Sequence, residues 1–165
     1  MVSDTQTTYY KTPLGIAKII GNNDGIQSVS VLDDDFTIPK NTETDLANPL
    51  VNCVLQLEEY FNGHRKEFDL KLNPKGTDFQ QKVWEALLHI PYGKTRSYLE
   101  QTKKLGDVKA IRAVASANGK NPIWIIIPCH RVIGSDGSLT GYAGGVWRKK
   151  WLLEHESGSK QQTLF

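Results

Sequence analysis

Cysteine is scarce in this chain: Cys53 and Cys129 are the only two in 165 residues. No C-x-x-C pair exists, so neither a zinc ribbon nor a dithiol redox motif can be built from neighbouring thiols. So low a count also excludes a disulfide-stapled scaffold, and a reducing cytosol is the simplest setting. A Cys53–Cys129 bridge is the one pairing the count allows. Long apolar runs are missing as well, since no segment approaches the roughly 18–20 residues needed to cross a bilayer. The opening "MVSDTQTTYYK" has neither a basic n-region nor an apolar core, so no signal peptide is expected. Repeats and low-complexity tracts are absent. These gaps leave a cytoplasmic protein without membrane contact as the expectation.

What is present is ordinary in bulk, with 39% hydrophobic and 23% charged residues. That composition suits a soluble globular chain of one domain or two small ones sharing a core. The net charge of +2 conceals an asymmetry. Residues 1–75 carry seven Lys/Arg against eleven Asp/Glu, whereas 76–165 carry thirteen against seven. Such a second half is a natural face for a polyanion, although charge alone is better read as a solvated surface.

Pattern divides the chain at "NPKG" (73–76). Before it, "YYKTPLGIAKIIGNNDGIQSVSVLDDD" reads as a β-meander, with turns at Pro13–Gly15 and at "NNDG" (22–25). "DLANPLVNCVLQLEEYFNG" places Leu46, Leu50, Val54, Leu57 and Phe61 at helical spacing, with Gly63 as the stop. "KEFDLKL" alternates like a closing strand. The expected domains are therefore 1–75 and 76–156, followed by a flexible tail, 157–165.

After the boundary, helices dominate. Thr77 and Gln80 have capping-box spacing ahead of "FQQKVWEALLHI", and Ser97 with Glu100 repeats the device ahead of "YLEQTKKLG". Asp107 can cap a third helix, "VKAIRAVASANG", so a tight Gly-Asp turn joins two short helices in a helix-turn-helix pattern. Ala110, Ala113, Ala115, Ser116 and Ala117 keep the third helix nearly free of bulk, with Arg112 projecting from it. Small residues let a backbone approach either a neighbouring helix or an external surface. Lys94, Arg96, Lys103, Lys104, Lys109 and Lys120 surround it and suit phosphates. "IWIIIP" suggests a buried strand over Ile125–Ile127 that turns at Pro128. A last helix, "VWRKKWLLEHE", is expected to send Trp147, Trp151 and Leu152 to the core and to end at Glu156.

The chemistry concentrates at "PCHR" (128–131). A thiol attacks only as thiolate, and an unperturbed one is a few per cent ionised at neutral pH. His130 can take the proton and Glu156 can orient the ring. Neighbours on an extended strand point to opposite faces, so Cys129 and His130 cooperate only if the chain turns at Pro128. Arg131 adds positive potential or serves structure. A lone cysteine is otherwise most often a small buried hydrophobe.

Taken in order, "FQQKVWEAL", "IPYGKTRSY", "KAIRAVASANGKNP", "IPCHRV", "GYAGG" and "WLLEHE" resemble the methylated-DNA–protein-cysteine methyltransferases, which remove alkyl groups from guanine O6. The resemblance runs from about Gly76 to Glu156; the first half is similar in pattern. It implies an α+β fold: a ribonuclease-H-like β-meander plus helix, then a mainly helical, winged-helix-like domain with a helix-turn-helix and an active-site loop. It implies that Cys129 accepts the alkyl group, with His130 deprotonating it through a water and Glu156 completing the relay. Asn121 would brace the turn, and Tyr98 would contact the flipped base and donate a proton to the departing guanine. Arg112 would fill the gap in the duplex, with Lys109, Ala110, Ala113, Ser116, Lys94 and Arg96 on the DNA face. The carbonyls of Cys129 and Val132, the amide of Ala143 and the ring of Tyr142 would line the base pocket; many relatives have serine at position 143. Guanine O6 lies inside the stack, which explains base flipping from the minor groove.

The implied partner is duplex DNA containing O6-alkylguanine, with O4-alkylthymine a second candidate, and the implied state is a monomer. One irreversible turnover per chain is expected, with no organic cofactor. Some relatives hold zinc in the first half; this chain offers only Cys53 and His64 there, so no metal is expected. The competing readings are a lesion-binding protein of the alkyltransferase-like kind, against which the intact Cys129 argues, and a helix-turn-helix regulator.

Overall fold

The short β-rich segments of the first half pair with their sequence neighbours because tight turns leave no other partner so near. The computed structural model describes residues 4–40, 44–139, 142 and 144–158. Strands β1 (Gln6–Thr12), β2 (Gly15–Asn22) and β3 (Gly25–Leu32) form an antiparallel sheet in that order. Tyr10 faces Ala17, and Ala17 faces Val31. Gly25, at φ 130°, permits the second turn, and a Cβ there would stand 2.9 Å from the Lys71 carbonyl oxygen. Helix α1 (Asn48–Phe61) starts with Pro49 in its first turn and buries Leu50, Cys53, Leu57, Tyr60 and Phe61. Leu46 precedes the helix and Val54 is half-buried, so the buried stripe is shifted from the expected one. Cys53 is fully buried and burial pushes its thiol up to about 12. Both cysteines are free thiols.

The expected closing strand at 66–72 shrinks to one parallel bridge, Ile26–Leu72. Side chains have claimed the backbone a ladder would need. Gln56 accepts from the Asp69 N–H (2.9 Å) and donates to its carbonyl (3.0 Å), and Arg65 donates to the Glu67 carbonyl (2.8 Å).

The described chain divides into two compact units, with Pro122–Trp124 belonging to the first and Gly76–Asn121 with the residues from Ile125 onward forming the second. Ile123 bridges Val29 in the first unit, bonded by Val29 N–H to the Pro122 carbonyl and Trp124 N–H to the Val29 carbonyl, both 2.9 Å. Here too the expectation of a strand over Ile125–Ile127 gives way. Residues 124–126 form a turn, with Ile125 at φ 69°. A β-branched side chain in the left-handed region costs about 1–3 kcal/mol. The surrounding packing supports it, since Ile125, Ile126 and Ile127 are all buried.

In the second unit the caps form where they were read. Both halves of the Thr77/Gln80 capping box open α2 (Asp78–Leu87), and both halves of Ser97/Glu100 open α3 (Tyr98–Leu105), which ends on Gly106 in the left-handed region. Asp107 accepts from the Lys109 N–H (2.9 Å), but the segment starts as a 3-10 turn, Val108–Ala110, before becoming α4 (Ile111–Gly119). Two-residue strands β4 (Arg96–Ser97) and β5 (Val132–Ile133) pair in parallel between the start of α3 and the end of the cysteine turn. Trp84 donates to the Ala117 carbonyl (2.9 Å), and buried Gln101 and Asn118 exchange two amide hydrogen bonds (3.1 and 2.8 Å) between α3 and α4.

Helix α5 (Val146–Ser157) departs most from expectation. Leu152 is buried and Trp151 half-buried, but Trp147 is 57% exposed. Lys149, Leu152 and Glu156 share the inward stripe at i, i+3 and i+7, and Trp147 lies off it. Arg148 and Lys149 are buried in its place. The helix runs through Ser157, where the tail was expected to begin; 159–165 lie outside the described residues.

Candidate active site

The segment that carries Cys129 is a turn and not an extended strand. Arg131 N–H donates to the Pro128 carbonyl (3.0 Å), closing a 3-10 turn over Cys129–Arg131. Cys129 is partly exposed, whereas His130 and Arg131 turn inward. Asn121 donates through Nδ2 to the Ile127 carbonyl (2.7 Å), fixing the entry to the turn, and also hydrogen-bonds the Cys129 thiol.

Behind the turn sits a buried charge chain. His130 Nε2 lies 2.7 Å from Glu156 Oε2. Arg131 donates to Glu156 from Nε to Oε1 (2.8 Å) and from Nη2 to Oε2 (3.0 Å), and its third bond goes to the Ile90 carbonyl (2.7 Å). Burial raises the Glu156 pKa, but the charges and hydrogen bonds of His130 and Arg131 prevail and hold the carboxyl far below its usual range. An ionised Glu156 can only accept, so His130 carries its proton on Nε2. Its Nδ1 is then the basic lone pair, and it is buried without a hydrogen-bond partner among the described residues. Burial, outweighing the attraction of Glu156, lowers the His130 pKa.

Burial pushes the Cys129 thiol up, against the hydrogen bond from Asn121 and the charge of Lys149. Tyr98, the first residue of α3, is half-buried, and burial followed by the proximity of Cys129 raises its pKa. Lys149 Nζ lies 5.7 Å from the Tyr98 ring centroid and 5.9 Å from that of Tyr142. Cys129, Asn121, His130, Glu156, Tyr98, Tyr142 and Lys149 thus converge. Val132 is buried beside them and donates its N–H to the Cys129 carbonyl, which keeps its second lone pair. Ala143, expected to offer its amide, lies outside the described residues.

Lys149 escaped the sequence reading. A lysine in "WRKKW" looks like helix-surface charge, and the only available signal was its i+3 spacing to Leu152 and i+7 spacing to Glu156. Arg131, left open between electrostatic and structural roles, is the anchor of Glu156.

The remaining expected residues lie on the helix-turn-helix. Arg112, Ala113, Ala115 and Ser116 are exposed on α4, and Lys94, Lys103, Lys104, Lys109 and Lys120 are exposed on neighbouring segments; Ala110 and Arg96 are half-buried. Val114, Ala117 and Asn118 form the inner face. Among the described residues no three His, Cys, Asp or Glu are arranged to hold a metal, and no helix is long and apolar enough to span a membrane.

Fold and site together define a class, helix-turn-helix proteins that carry a cysteine on a turn backed by a buried His–Glu–Arg chain. Two family models divide the chain between them: the 6-O-methylguanine DNA methyltransferase ribonuclease-like domain over residues 6–74 and the DNA binding domain of the same family over 78–158. The chain belongs to the 6-O-methylguanine DNA methyltransferase family. A methylated-DNA–protein-cysteine methyltransferase from Mycobacterium tuberculosis is 46% identical over 151 residues, covering 90% of this chain and 92% of its own. One from Methanosarcina barkeri is 46% identical over 155 residues, covering 90% and 95%. The crystal structure of M. tuberculosis O6-methylguanine methyltransferase superimposes with a TM-score of 0.82 at 44% identity over 94% of each chain. That of M. tuberculosis OGT in complex with DNA gives 0.80 at 46% identity over 93% and 92%.

Proposed function

We propose that this chain repairs DNA by moving the alkyl group of O6-alkylguanine onto Cys129, once per molecule. His130 Nδ1 takes the thiol proton, directly or across one water, and the resulting imidazolium is held by Glu156. Lys149 and Asn121 stabilise the sulfur anion. The thiolate attacks the alkyl carbon, a carbon–sulfur bond forms, the carbon–O6 bond breaks and its electron pair passes into the guanine ring. Tyr98, kept protonated by burial, donates a proton to the departing base, and the imidazolium proton restores the balance. The product is a thioether, which neither water nor ordinary thiols cleave, so the protein is a reagent.

The observation that carries this reading is the hydrogen bond between His130 and Glu156 in the cysteine turn, which leaves Nδ1 open. The exposed face of α4 supports the remainder. Arg112 amid Ala113, Ala115 and Ser116 suits close approach to a minor groove, with Arg112 filling the space of a base swung out of the stack. On this reading residues 76–156 bind DNA and perform the transfer, with double-stranded DNA containing the lesion as partner. The test is to incubate the protein with a duplex carrying O6-methylguanine and weigh the Cys129 peptide. A gain of one methylene per chain, with no second turnover, is expected. Tight binding with unchanged mass would instead identify a lesion-binding protein that does not react.

A further inference from the structure

The approach to α4 carries two large apolar side chains that the core does not use. Val108 is 48% exposed and Ile111 36%, whereas Val114 on the inner face is buried. Val108–Ala110 form a 3-10 turn that leads into α4 at Ile111. In such a turn side chains three apart eclipse one another, so Val108 and Ile111 stand in one row and Lys109 and Arg112 in the next. Ala110, half-buried, takes the inward third position. An apolar row and a cationic row therefore run side by side at the end of α4 that presents Arg112. Helix formation does not ask for this, because β-branched residues are poorer helix formers than alanine. Farther along α4 the exposed positions go to Ala113, Ala115 and Ser116. The charge around the rows favours a polyanion, since Lys94, Lys103, Lys104 and Lys120 are exposed as well. Asp107, the acid beside them, is turned to its own helix start and accepts from the Lys109 N–H (2.9 Å). Each strand of duplex DNA offers the matching pair, charged phosphates on the outside and apolar sugar carbons along the groove wall.

We propose that Val108 and Ile111 pack on the deoxyribose edges of the minor groove and so make the protein selective for DNA over RNA. They are positioning residues that never meet the reacting atoms. Lys109 takes the adjoining phosphate while Arg112 reaches into the stack. Every nucleotide offers the same sugar, so this grip is independent of base sequence. A ribose sets its 2′-hydroxyl in that groove, and an apolar side chain laid on it would bury the hydroxyl without a hydrogen bond. The inference rests on the reading of α4 as the element that enters the minor groove.

The test titrates the full chain onto an unmodified DNA duplex by fluorescence anisotropy at a series of salt concentrations. It compares the wild type, the double variant Val108→Ser with Ile111→Ser, and Lys109→Ala. The serine variant is expected to bind about tenfold more weakly at every salt concentration, with the slope of log Kd against log salt unchanged. Lys109→Ala is expected to lower that slope by about one. Riboses at a few consecutive positions of one strand are expected to weaken the wild type about fivefold and the serine variant less than about twofold, because serine can bond a 2′-hydroxyl. Both side chains are exposed, so the substitutions leave the core intact, and circular dichroism checks the fold. A serine variant that binds DNA as the wild type does, or that pays the same ribose penalty, overturns the row. Loss of self-association with DNA affinity kept would assign the row to a second copy of the chain and overturn it likewise. A wild type that binds no duplex overturns the minor-groove reading, and the row with it.

Discussion

Replacing Glu156 by glutamine exchanges one oxygen for an NH2 group and separates the structural from the chemical duty of the buried chain. Glu156 accepts three charge-assisted hydrogen bonds, two from Arg131 and one from His130. Glutamine offers one oxygen and one NH2 group, so a donor must face a donor at one of the two partners. Arg131, 6% exposed, is left as a buried guanidinium without a counterion. Removing one partner of a buried ion pair costs about 3–5 kcal/mol, from a total stability of about 5–15 kcal/mol. For a chain of this length that lowers the melting temperature by roughly 6–20 °C. Transfer must therefore be measured well below the new midpoint, with folding checked by circular dichroism. In the folded variant His130 is no longer held with its proton on Nε2, and general-base help of about 10²–10⁴ is at stake. Single-turnover transfer at pH 7 should slow by at least about a hundredfold and recover as pH rises, because hydroxide then supplies the thiolate directly. A folded Glu156→Gln variant that transfers within threefold of wild type at pH 7 would refute the relay.

Other perturbations follow from the same geometry. Lys149→Met removes a charge that favours the sulfur anion, so alkylation of Cys129 by iodoacetamide at neutral pH should slow about tenfold; an unchanged rate-versus-pH curve would show that the lysine does not act on the sulfur. The His130 pKa is lowered on folding, so the unfolded chain binds more protons below about pH 6.5, and denaturant midpoints should fall as pH drops through that value. The Glu156 pKa is lowered as well, and its contribution, complete above about pH 4.3, is lost as pH falls further. Gln101→Ala strands the Asn118 amide in the interface between α3 and α4 and should cost about 1–3 kcal/mol in urea unfolding. Arg112→Ala should slow transfer on duplex far more than on a single strand, where nothing need be swung out; equal slowing would remove its role in the stack.

How much could be read before any coordinates depended on how local each determinant was. Thr77/Gln80, Ser97/Glu100 and Gly106 act within four residues, and the helices start and stop where these lie. The meander was equally legible because its turns are set by their own residues. The closing strand failed because Gln56, thirteen residues away, takes the backbone of Asp69, which no alternation pattern reveals. "IWIII" has the composition of a strand, and only packing from several sides holds Ile125 where β-branched residues seldom go. Trp147 misled, and Lys149 was passed over, for the opposite reason. Hydropathy places tryptophan inside and lysine outside, and here the site inverts both. Cys129, His130 and Glu156 were nameable from residue type and motif. Arg131's bonds to Glu156 and to the Ile90 carbonyl needed the fold.

Glycine at position 125 would relieve the backbone, and the chain carries isoleucine there all the same. A β-branched residue confined to that corner of conformational space has almost nowhere else to go once its side chain is packed. The segment leading to Cys129 is thereby stiff from behind, and the sulfur waits in position before damage arrives. On the reading proposed above, speed in a molecule that acts only once would come from an arrangement completed during folding, when there is no hurry.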